Sequence, residues 1–340
     1  MTEPTTALRG SPADTKPTEG RQAGRFDRVA IANTVLPLVA LVAMVVYFAA
    51  RSSSFLTLSN LTVMSGQAGP LLLASLGATF VIVMGSIDLS VGSIALLTGS
   101  VCAWFLAHSA TIGLWVIPIG LAVGALCGLV SGVVYAYGRV PSFVTTLGML
   151  SILSGIGLKI IDGSPLPFVN STFTKLAIGQ AVPHIQNAGI WALGVWALMV
   201  VVAFRTRFGF YMYAIGGGEP VARLSGVRVD RYKVYAFVLS GLTAAFCGIL
   251  SVGQLSSGGP TLGSSLLLDT LAAIVVGGTA LSGGVGGVHR TLLGVLIITI
   301  LANGLNQIGV GEFTQEIIKG AVIIVAVAIT MIPHRRLIIK

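Results

Sequence analysis

Charged residues are scarce in this sequence. Only 9% of its 340 residues are Asp, Glu, Lys or Arg, whereas 54% are hydrophobic, and the mean hydropathy is +0.94. Soluble domains carry about 25% charged residues, so this composition excludes an ordinary soluble fold. Spans of roughly 20 residues, which cross about 30 Å of hydrocarbon, would use most of the chain. The sequence therefore predicts an all-α polytopic membrane protein.

Residues for metal or nucleotide chemistry are equally scarce. The three cysteines lie inside apolar stretches without metal-ligand spacing, so we expect small packing residues at Cys102, Cys127 and Cys247. The four histidines are scattered along the chain, which predicts no metal site. Neither a His-Glu-x-x-His zinc motif nor a Gly-x-x-x-x-Gly-Lys-Ser/Thr phosphate loop occurs in the sequence. These absences argue against an intramembrane enzyme and against binding of ATP phosphates through this loop motif.

Long apolar stretches fill most of the chain. We interpret ten of them as membrane-spanning helices, near residues 30–50, 62–84, 91–110, 113–137, 142–161, 190–204, 234–253, 266–281, 291–309 and 317–333. The regions 85–93 and 254–290 have room for short or broken helices. Residues 1–28 are polar and rich in Pro, Thr and Gly, so we expect a disordered tail there and no cleaved signal peptide.

The positions of Lys and Arg predict the orientation. Arg21, Arg25 and Arg28 precede the first apolar stretch, and the positive-inside rule therefore places the amino terminus in the cytoplasm. Ten crossings then put the basic loop 205–233 and the basic carboxy-terminal tail on the same side, whereas the nearly neutral loop 162–189 faces outside. The predicted domains are a cytoplasmic tail, a membrane domain and a second cytoplasmic tail, at residues 1–28, 29–335 and 336–340.

The predicted spans contain a further regularity. Four of them, within 62–161, precede the outside loop, and four others, within 234–333, follow the basic loop. The two sets therefore enter the membrane from opposite sides. This order is compatible with inverted four-helix repeats, which many transporters have.

Four glycines form a regular pattern in the stretch 113–137. They recur at every fourth residue and line one helix face, at Gly120, Gly124, Gly128 and Gly132. In lipid, a stripe of small residues lets a neighbouring helix backbone approach closely. The stripe predicts close helix packing, either inside one subunit or at a homodimer seam.

Asp88 is the only formally charged residue between Arg51 and Arg139. An ionised carboxylate in hydrocarbon costs about 2.5–3.5 kcal/mol on insertion scales, so such a residue usually has a specific role. Three roles fit its position before an apolar stretch: a cap of the next helix, pairing or loop structure on the cytoplasmic side, or contact with a substrate. The crossing count places Asp88 at the cytoplasmic end of a span, which favours the capping role.

Other polar residues lie in or beside the apolar stretches. Asp269 fits either a helix cap or an extracytoplasmic gate. Asn303 and Asn306 need hydrogen-bond partners, for which neighbouring helices are favoured over a substrate. Together with Asp88 and its neighbour Ser90, these residues are the candidates for lining or gating a translocation path.

The loop 205–233 carries a second recognisable pattern. The glycines at 216–218 end one element, Glu219-Pro220 starts a short helix with Pro in its first turn, and Ser225-Gly226 ends that helix. The pattern predicts a short amphipathic helix on the cytoplasmic face. Such a helix either lies on lipid headgroups or docks on a cytoplasmic partner.

Three motifs in this order are similar to those of a known family. They are Gly-x-Ile-Asp-Leu-Ser-Val-Gly-Ser at 85–93, Gly-Gly…Ala-Arg-Leu-Ser-Gly-Val at 216–227 and Gly-Gly-Thr-Ala-Leu-Ser-Gly-Gly at 277–284. With the predicted topology, they resemble the ribose/xylose/arabinose-type permease subunits of bacterial ABC importers across residues 30–335. The sequence departs from the family pattern at Ser86, where Gly is usual, and at Gly218, where Asn is usual.

The resemblance implies a multi-pass permease subunit in the bacterial cytoplasmic membrane, with both termini in the cytoplasm. It would pair with an identical or paralogous permease subunit, with cytoplasmic ATPase subunits that bind ATP and Mg²⁺, and with an extracytoplasmic solute-binding protein that delivers a sugar or sugar-like solute. The chain itself would bind no cofactor and would not be an enzyme. The family's coupling helix corresponds to residues 216–227, with Glu219 and Arg223 as charged handles for docking. The residues expected to couple the chain to the ATPase are Gly216, Gly217, Glu219, Arg223, Leu224, Ser225 and Gly226.

The rival class is a secondary transporter driven by H⁺ or Na⁺. Such carriers usually have several ionisable groups within the membrane, whereas this chain offers two or three. The two classes differ in their partners, because only an ABC permease requires an ATPase. Pentoses, hexoses, polyols and sugar-like signal molecules all fit the sequence as substrates.

Overall fold

The structure, a computed structural model, describes residues 35, 37–109, 111–263 and 265–331. The predicted amino-terminal and carboxy-terminal tails lie outside these residues. Within them the chain is an α-helical bundle with one small two-stranded sheet. The sheet pairs two-residue strands that precede α6 and follow α10, with Leu166 opposite Gly258 and Pro167 opposite Ser257.

The helices and strands follow each other in this order. They are α1 (Pro37–Arg51), α2 (Leu58–Val83), α3 (Val91–His108), a 3₁₀ turn (Gly113–Trp115), α4 (Val116–Ala136), α5 (Ser142–Ile160), β1 (Leu166–Pro167), α6 (Ser171–Ile178), α7 (Asn187–Arg205), α8 (Arg207–Gly217), α9 (Glu219–Leu224), α10 (Val229–Leu255), β2 (Ser257–Gly258), α11 (Leu266–Val276), α12 (Val288–Gln307) and α13 (Glu312–Met331).

Seven helices in the described part of the chain are long and apolar enough to cross a membrane. They are α2, α3, α4 with the turn before it, α5, α7, α10 and α12. Helices α1 and α11 are apolar but shorter, and α13 begins with the charged residues Glu312 and Glu316. The predicted class of an all-α polytopic membrane protein is confirmed, whereas ten crossings and inverted repeats stay predictions.

The predicted span 266–281 is wrong at its end, because α11 stops at Val276. Gly278 adopts a left-handed backbone conformation with φ of +90°. The N–H groups of Gly278 and Thr279 donate to carbonyls in the last turn of α11, at 2.9 and 3.1 Å. This pattern is a Schellman motif, which ends a helix at a glycine. Residues 277–287 continue as a non-helical, glycine-rich segment.

Helices α2 and α10 form the centre of the bundle. Both are largely buried, and α10 contacts α2, α3 and α4. Their approach is close because Gly77 of α2 lies against the α10 backbone at Ser240. By contrast, α4, α5 and α7 each expose apolar side chains along one side. Exposed apolar faces of this kind suit contact with lipid.

The glycine stripe of α4 lies against α10. A Cβ atom at Gly124 would collide with Gly241, and one at Gly128 would collide with the carbonyl of Phe237. Gly120 and Gly132 also face α10. The structure therefore places this stripe at a contact inside the subunit, which is the first of the two alternatives that the sequence allowed.

Candidate functional site

Three glycine-containing segments meet at one end of the bundle. The N–H of Gly284 donates to the carbonyl of Val83 at 2.8 Å, and a Cβ atom at Gly216 would collide with both groups. Gly283, with φ of +84°, lies against Gly85. We call Gly85, Gly216, Gly283 and Gly284 the motif junction, because each belongs to one of the three sequence motifs. The backbones touch here since none of these residues has a Cβ atom.

Asp88 lies beside the motif junction and is only 2% exposed. The N–H and the hydroxyl of Ser90 donate to its Oδ1 at 2.9 and 2.6 Å, and the hydroxyl of Ser240 donates to its Oδ2 at 2.7 Å. These bonds compensate the buried carboxylate for the loss of water. Asp88 therefore ties the turn before α3 to α10, and its carboxylate is enclosed by protein.

The predicted capping role of Asp88 takes a different form in the structure. Ser90, rather than Asp88, occupies the N-cap position of α3, and its hydroxyl makes no capping bond. An N-cap side chain ordinarily accepts an N–H from the second or third helical residue. Asp88 instead accepts the N–H of Ser90 itself, because the helix begins one residue later, at Val91. The carboxylate thus fixes the turn that leads into the helix.

Helix α9 is the short helix predicted in the 205–233 loop. Helix α8 ends at Gly217, the extended residue Gly218 separates the two helices, and Ser225 follows the last residue of α9. Ala222 is buried against the body of the protein, whereas Val221 and Leu224 are 68% and 89% exposed. The helix therefore presents an apolar tip, Val221 and Leu224, to its surroundings.

The charges of α9 are paired within the chain. Glu219 accepts hydrogen bonds from Lys233 at 2.9 Å and from Arg223 at 3.2 Å. Arg223 also binds both carboxylate oxygens of Asp230, at 2.9 and 3.0 Å. Partial burial acts to raise the pKa of Glu219, but the bonds from Lys233 and Arg223 outweigh it and lower the pKa below its ordinary value. These ionised groups brace α9 against the start of α10.

The sequence does not reveal this pairing. Glu219 and Arg223 are expected there as charged handles for a partner; the structure adds that both are ion-paired within the chain, while Val221 and Leu224 are exposed. The sequence contains one hint of this pairing, which is the spacing of the two residues. Asp230 follows Arg223 after a short segment that forms a turn, and such a turn can bring the Asp230 carboxylate back beside the Arg223 guanidinium. Sequence spacing alone does not show which way that segment folds.

The other end of α2 is joined to α12 by amide groups. Asn60 and Asn303 are both buried and hydrogen-bond each other, and Gln307 donates to the Asn60 carbonyl oxygen at 2.9 Å. Asn306, by contrast, is exposed. Of the two asparagines singled out in α12, Asn303 therefore links this helix to α2.

Asp269 joins α11 to α13. Its carboxylate pairs with the ammonium group of Lys319 at 3.3 Å, and Lys319 also pairs with Glu316 at 3.0 Å. The side chains of Asp269 and Lys319 are only 20% and 11% exposed. Because both side chains are largely buried, this ion pair joins α11 to α13 with little access for solvent.

A cavity of about 550 Å³ lies at the ends of α3 and α5 that are remote from the motif junction. Its lining includes the indole of Trp104 and the charged side chains of Lys159 and Asp162. Trp104 is 41% exposed and stacks with one face on His108, with 4.8 Å between the ring centres. The cavity thus combines an aromatic surface with hydrogen-bonding groups.

The fold and the site define a polytopic membrane protein with a braced helix that displays an apolar tip at one end of the bundle. Residues 60–327 match the family described as the permease component of the branched-chain amino acid transport system. Because the match covers well over half of its length, the chain belongs to this family of transport permeases.

Curated relatives extend over most of the chain. It is 39% identical to the ribose import permease protein RbsC of Escherichia coli K12 over 298 residues, which is 86% of this chain and 92% of the relative. It is 36% identical to RbsC of Bacillus subtilis, covering 86% and 90% of the two chains. It is 35% identical to the galactose/methyl galactoside import permease protein MglC of Salmonella typhimurium, covering 88% and 93%. No solved structure matches the chain. The resemblance predicted from the three motifs is confirmed.

Proposed function

We propose that this chain is the transmembrane permease subunit of an ABC importer for a monosaccharide or sugar-like solute. The observation that carries the proposal is α9, a helix braced by ion pairs whose exposed tip is apolar. Relatives named as ribose and galactose import permeases support a sugar as the transported solute. The chain forms the path through the membrane, and partner subunits supply the energy and the solute.

The apolar tip of α9 is the docking element for a cytoplasmic ATPase. Val221 and Leu224 are available for an apolar cleft, and desolvated apolar anchors contribute strongly to protein interfaces. Glu219 and Arg223 hold the helix at a fixed angle. ATP and Mg²⁺ bind in the partner, since the chain has no Gly-x-x-x-x-Gly-Lys-Ser/Thr loop.

The docking role sets the orientation of the chain. The motif junction and α9 face the cytoplasm together with both termini, and ten spans cross the bacterial cytoplasmic membrane. The basic residues around α9 support this orientation. Cysteine substitutions at Lys175 and Arg228 test it, because a membrane-impermeant thiol reagent should label them from opposite sides. Labelling of both positions from one side would contradict the topology.

A second permease subunit, identical or paralogous, packs on the exposed face of α5. This face carries the small residues Gly148, Ser151 and Gly155, and nothing lies within 4 Å of a Cβ atom built at either glycine. Small residues on a lipid-exposed face favour close helix association. The α3–α5 cavity lies beside this face, so a solute-binding protein would release its sugar there. Trp104 would stack on the sugar ring, and Lys159 and Asp162 would bind its hydroxyl groups.

Asp88, Ser90, Asp269 and Asn303 act in gating through contacts between helices. Asp88, Asp269 and Asn303 each bond to a residue of another helix in this structure, and Ser90 bonds to the Asp88 carboxylate within the turn. Asn306 is exposed and remains a candidate for lining the path. Opening of the path would exchange some of these contacts during rigid-body movement of the helices.

Reconstitution into liposomes tests the proposed function. We expect uptake of labelled ribose or galactose only when the ATPase, the solute-binding protein encoded beside it and ATP are all present. Omission of the ATPase is the matched control. Uptake by the permease alone under an H⁺ or Na⁺ gradient would favour the secondary transporter and contradict the proposal.

A further inference from the structure

Lys233 connects α9 to the body of the protein. Its ammonium group lies 2.9 Å from the carboxylate of Glu219, and its side chain is only 10% exposed. The same ammonium group lies 4.6 Å from the centre of the Tyr135 ring in α4, within the range of a cation–π interaction. One nearly buried charge therefore contacts both the short helix and α4.

Tyr135 extends the connection to the turn between α2 and α3. Its hydroxyl lies 2.7 Å from the hydroxyl of Ser86, which is 2% exposed. Its ring packs edge-on against Phe237, with 5.6 Å between the ring centres. Phe237 thus holds the ring at its edge, while Lys233 contacts the face of the ring and Ser86 contacts its hydroxyl.

The same turn is anchored to α10 by Asp88 and Ser240, at 2.7 Å. Lys233 and Ser240 lie seven residues apart on α10, about two helical turns, and therefore on the same face. One face of α10 thus holds α9 through Lys233 and the turn through Ser240. Displacement of α9 against α10 would move the Lys233 ammonium group, which is paired with Glu219. Movement of that group would shift the Tyr135 ring and, through its hydroxyl, Ser86.

We propose that Glu219, Lys233, Tyr135 and Ser86 form a coupling relay that transmits displacement of α9 to the turn before α3, with Lys233 and Tyr135 as positioning residues. This inference rests on the proposed function, in which a partner ATPase displaces α9. Short contacts between buried groups suit this role, because a packed interior has discrete arrangements and does not deform continuously. The turn leads directly into α3, whose far end borders the cavity at Trp104.

Hydrogen exchange of the purified permease in lipid nanodiscs tests the physical link without an ATPase. Lys233→Met keeps an unbranched side chain but removes the charge, and we expect exchange in residues 85–93 to accelerate about tenfold through more frequent local opening. Lys233→Arg keeps a cation for Glu219 and Tyr135 and should restore slow exchange. Ser131→Ala is the matched control, because the Ser131 hydroxyl bonds to a carbonyl of its own helix, α4.

Transport by the reconstituted complex tests the coupling. Tyr135→Phe and Ser86→Ala each remove one side of a single hydrogen bond, so each should lower solute uptake per ATP hydrolysed about fivefold. The double variant should lose no more than either single variant, because both disrupt the same contact. Assembly with the ATPase should stay unchanged, and Ser131→Ala should couple as the wild type does.

The two measurements separate the relay from the proposed function. Unchanged exchange in Lys233→Met, or losses in the two hydroxyl variants that multiply in the double variant, would overturn the relay. Absence of ATP-driven uptake in the wild type, with accelerated exchange in Lys233→Met, would contradict the proposed function and leave the physical link intact.

Discussion

Asn60 and Asn303 donate to each other across the contact of α2 with α12, at 2.9 and 3.1 Å, although 243 residues separate them. Each amide gives one hydrogen bond to the other and accepts one in return. Asn60 also donates to the carbonyl of Phe55 at 2.8 Å, which fixes the start of α2. Two helices that belong to different halves of the chain are therefore joined by a reciprocal pair of amide hydrogen bonds.

Loss of this contact should destabilise the protein. Asn303→Ala removes both hydrogen bonds of the pair and takes the amide acceptor away from one buried N–H of Asn60, so we expect a loss of about 1–3 kcal/mol in the free energy of unfolding. Thermal unfolding in detergent measures the effect. Asn306→Ala is the control, since Asn306 is exposed three residues away and its substitution should change stability by less than about 0.5 kcal/mol. Equal losses in the two variants would contradict the role of the buried pair.

Substitutions at Asp88 should separate hydrogen bonding from charge. Asp88→Asn keeps an acceptor for Ser90 and can still bond the hydroxyl of Ser240, whereas Asp88→Leu leaves both serines without that partner. We therefore expect Asp88→Leu to cost about 1–3 kcal/mol for each group left unpaired, and Asp88→Asn to be milder. Thermal stability and solute uptake measure the difference. Complete loss of uptake in both variants, with normal stability of Asp88→Asn, would instead indicate a role for the charge.

The apolar tip of α9 should decide binding of the ATPase. Leu224→Asp places a charge where an apolar cleft is expected, and we predict a decrease of about thirtyfold or more in affinity for the ATPase, as for an interface hot spot. Val169→Asp is the matched control, because Val169 is a fully exposed apolar residue of the 162–189 loop. Co-purification and titration of the purified subunits measure the effect. Normal ATPase binding by Leu224→Asp would contradict the docking role.

Two glycine substitutions should affect different properties, one the stability of the fold and the other the pairing of two permease subunits. Gly128→Leu collides with the α10 backbone, so it should destabilise the fold by about 1–3 kcal/mol or more. A Cβ atom at Gly148 meets no atom of the described residues within 4 Å, so Gly148→Leu should leave the fold intact and weaken the permease pair instead. Thermal unfolding and mass measurement in detergent distinguish these outcomes. A stable pair in Gly148→Leu would exclude this face of α5 as the pairing surface.

Much of the fold could be predicted from the sequence because its signals are local. Hydropathy located the long helices, and the Gly-Glu-Pro and Ser-Gly patterns located α9 within one or two residues. Asp88 stood out because a lone carboxylate between apolar stretches is costly. These inferences needed only composition and the order of residues along the chain.

The partners of these residues could not be predicted, because they come from distant segments. Ser240 lies far from Asp88 in the sequence, and a serine in an apolar helix is too common to identify as its donor. The contact of Gly216 with Gly284 depends on how α8 and the 277–287 segment fold over α2. In the sequence Ser86 differs from its neighbours only as a departure from a family pattern, whereas in the structure its hydroxyl bonds to Tyr135.

The early end of α11 restricts how this molecule can move. Its 11 residues rise only about 16 Å, roughly half of a hydrocarbon layer. The backbone that follows lacks the hydrogen bonds of a helix, so its polar groups find partners within the segment and in other parts of the protein. Gly284 relies on the carbonyl of Val83, and Gly287 relies on the hydroxyl of Thr279. A conformational cycle that keeps the hydrogen bond between Gly284 and Val83 would therefore carry this segment along with α2, so that the two move as one piece.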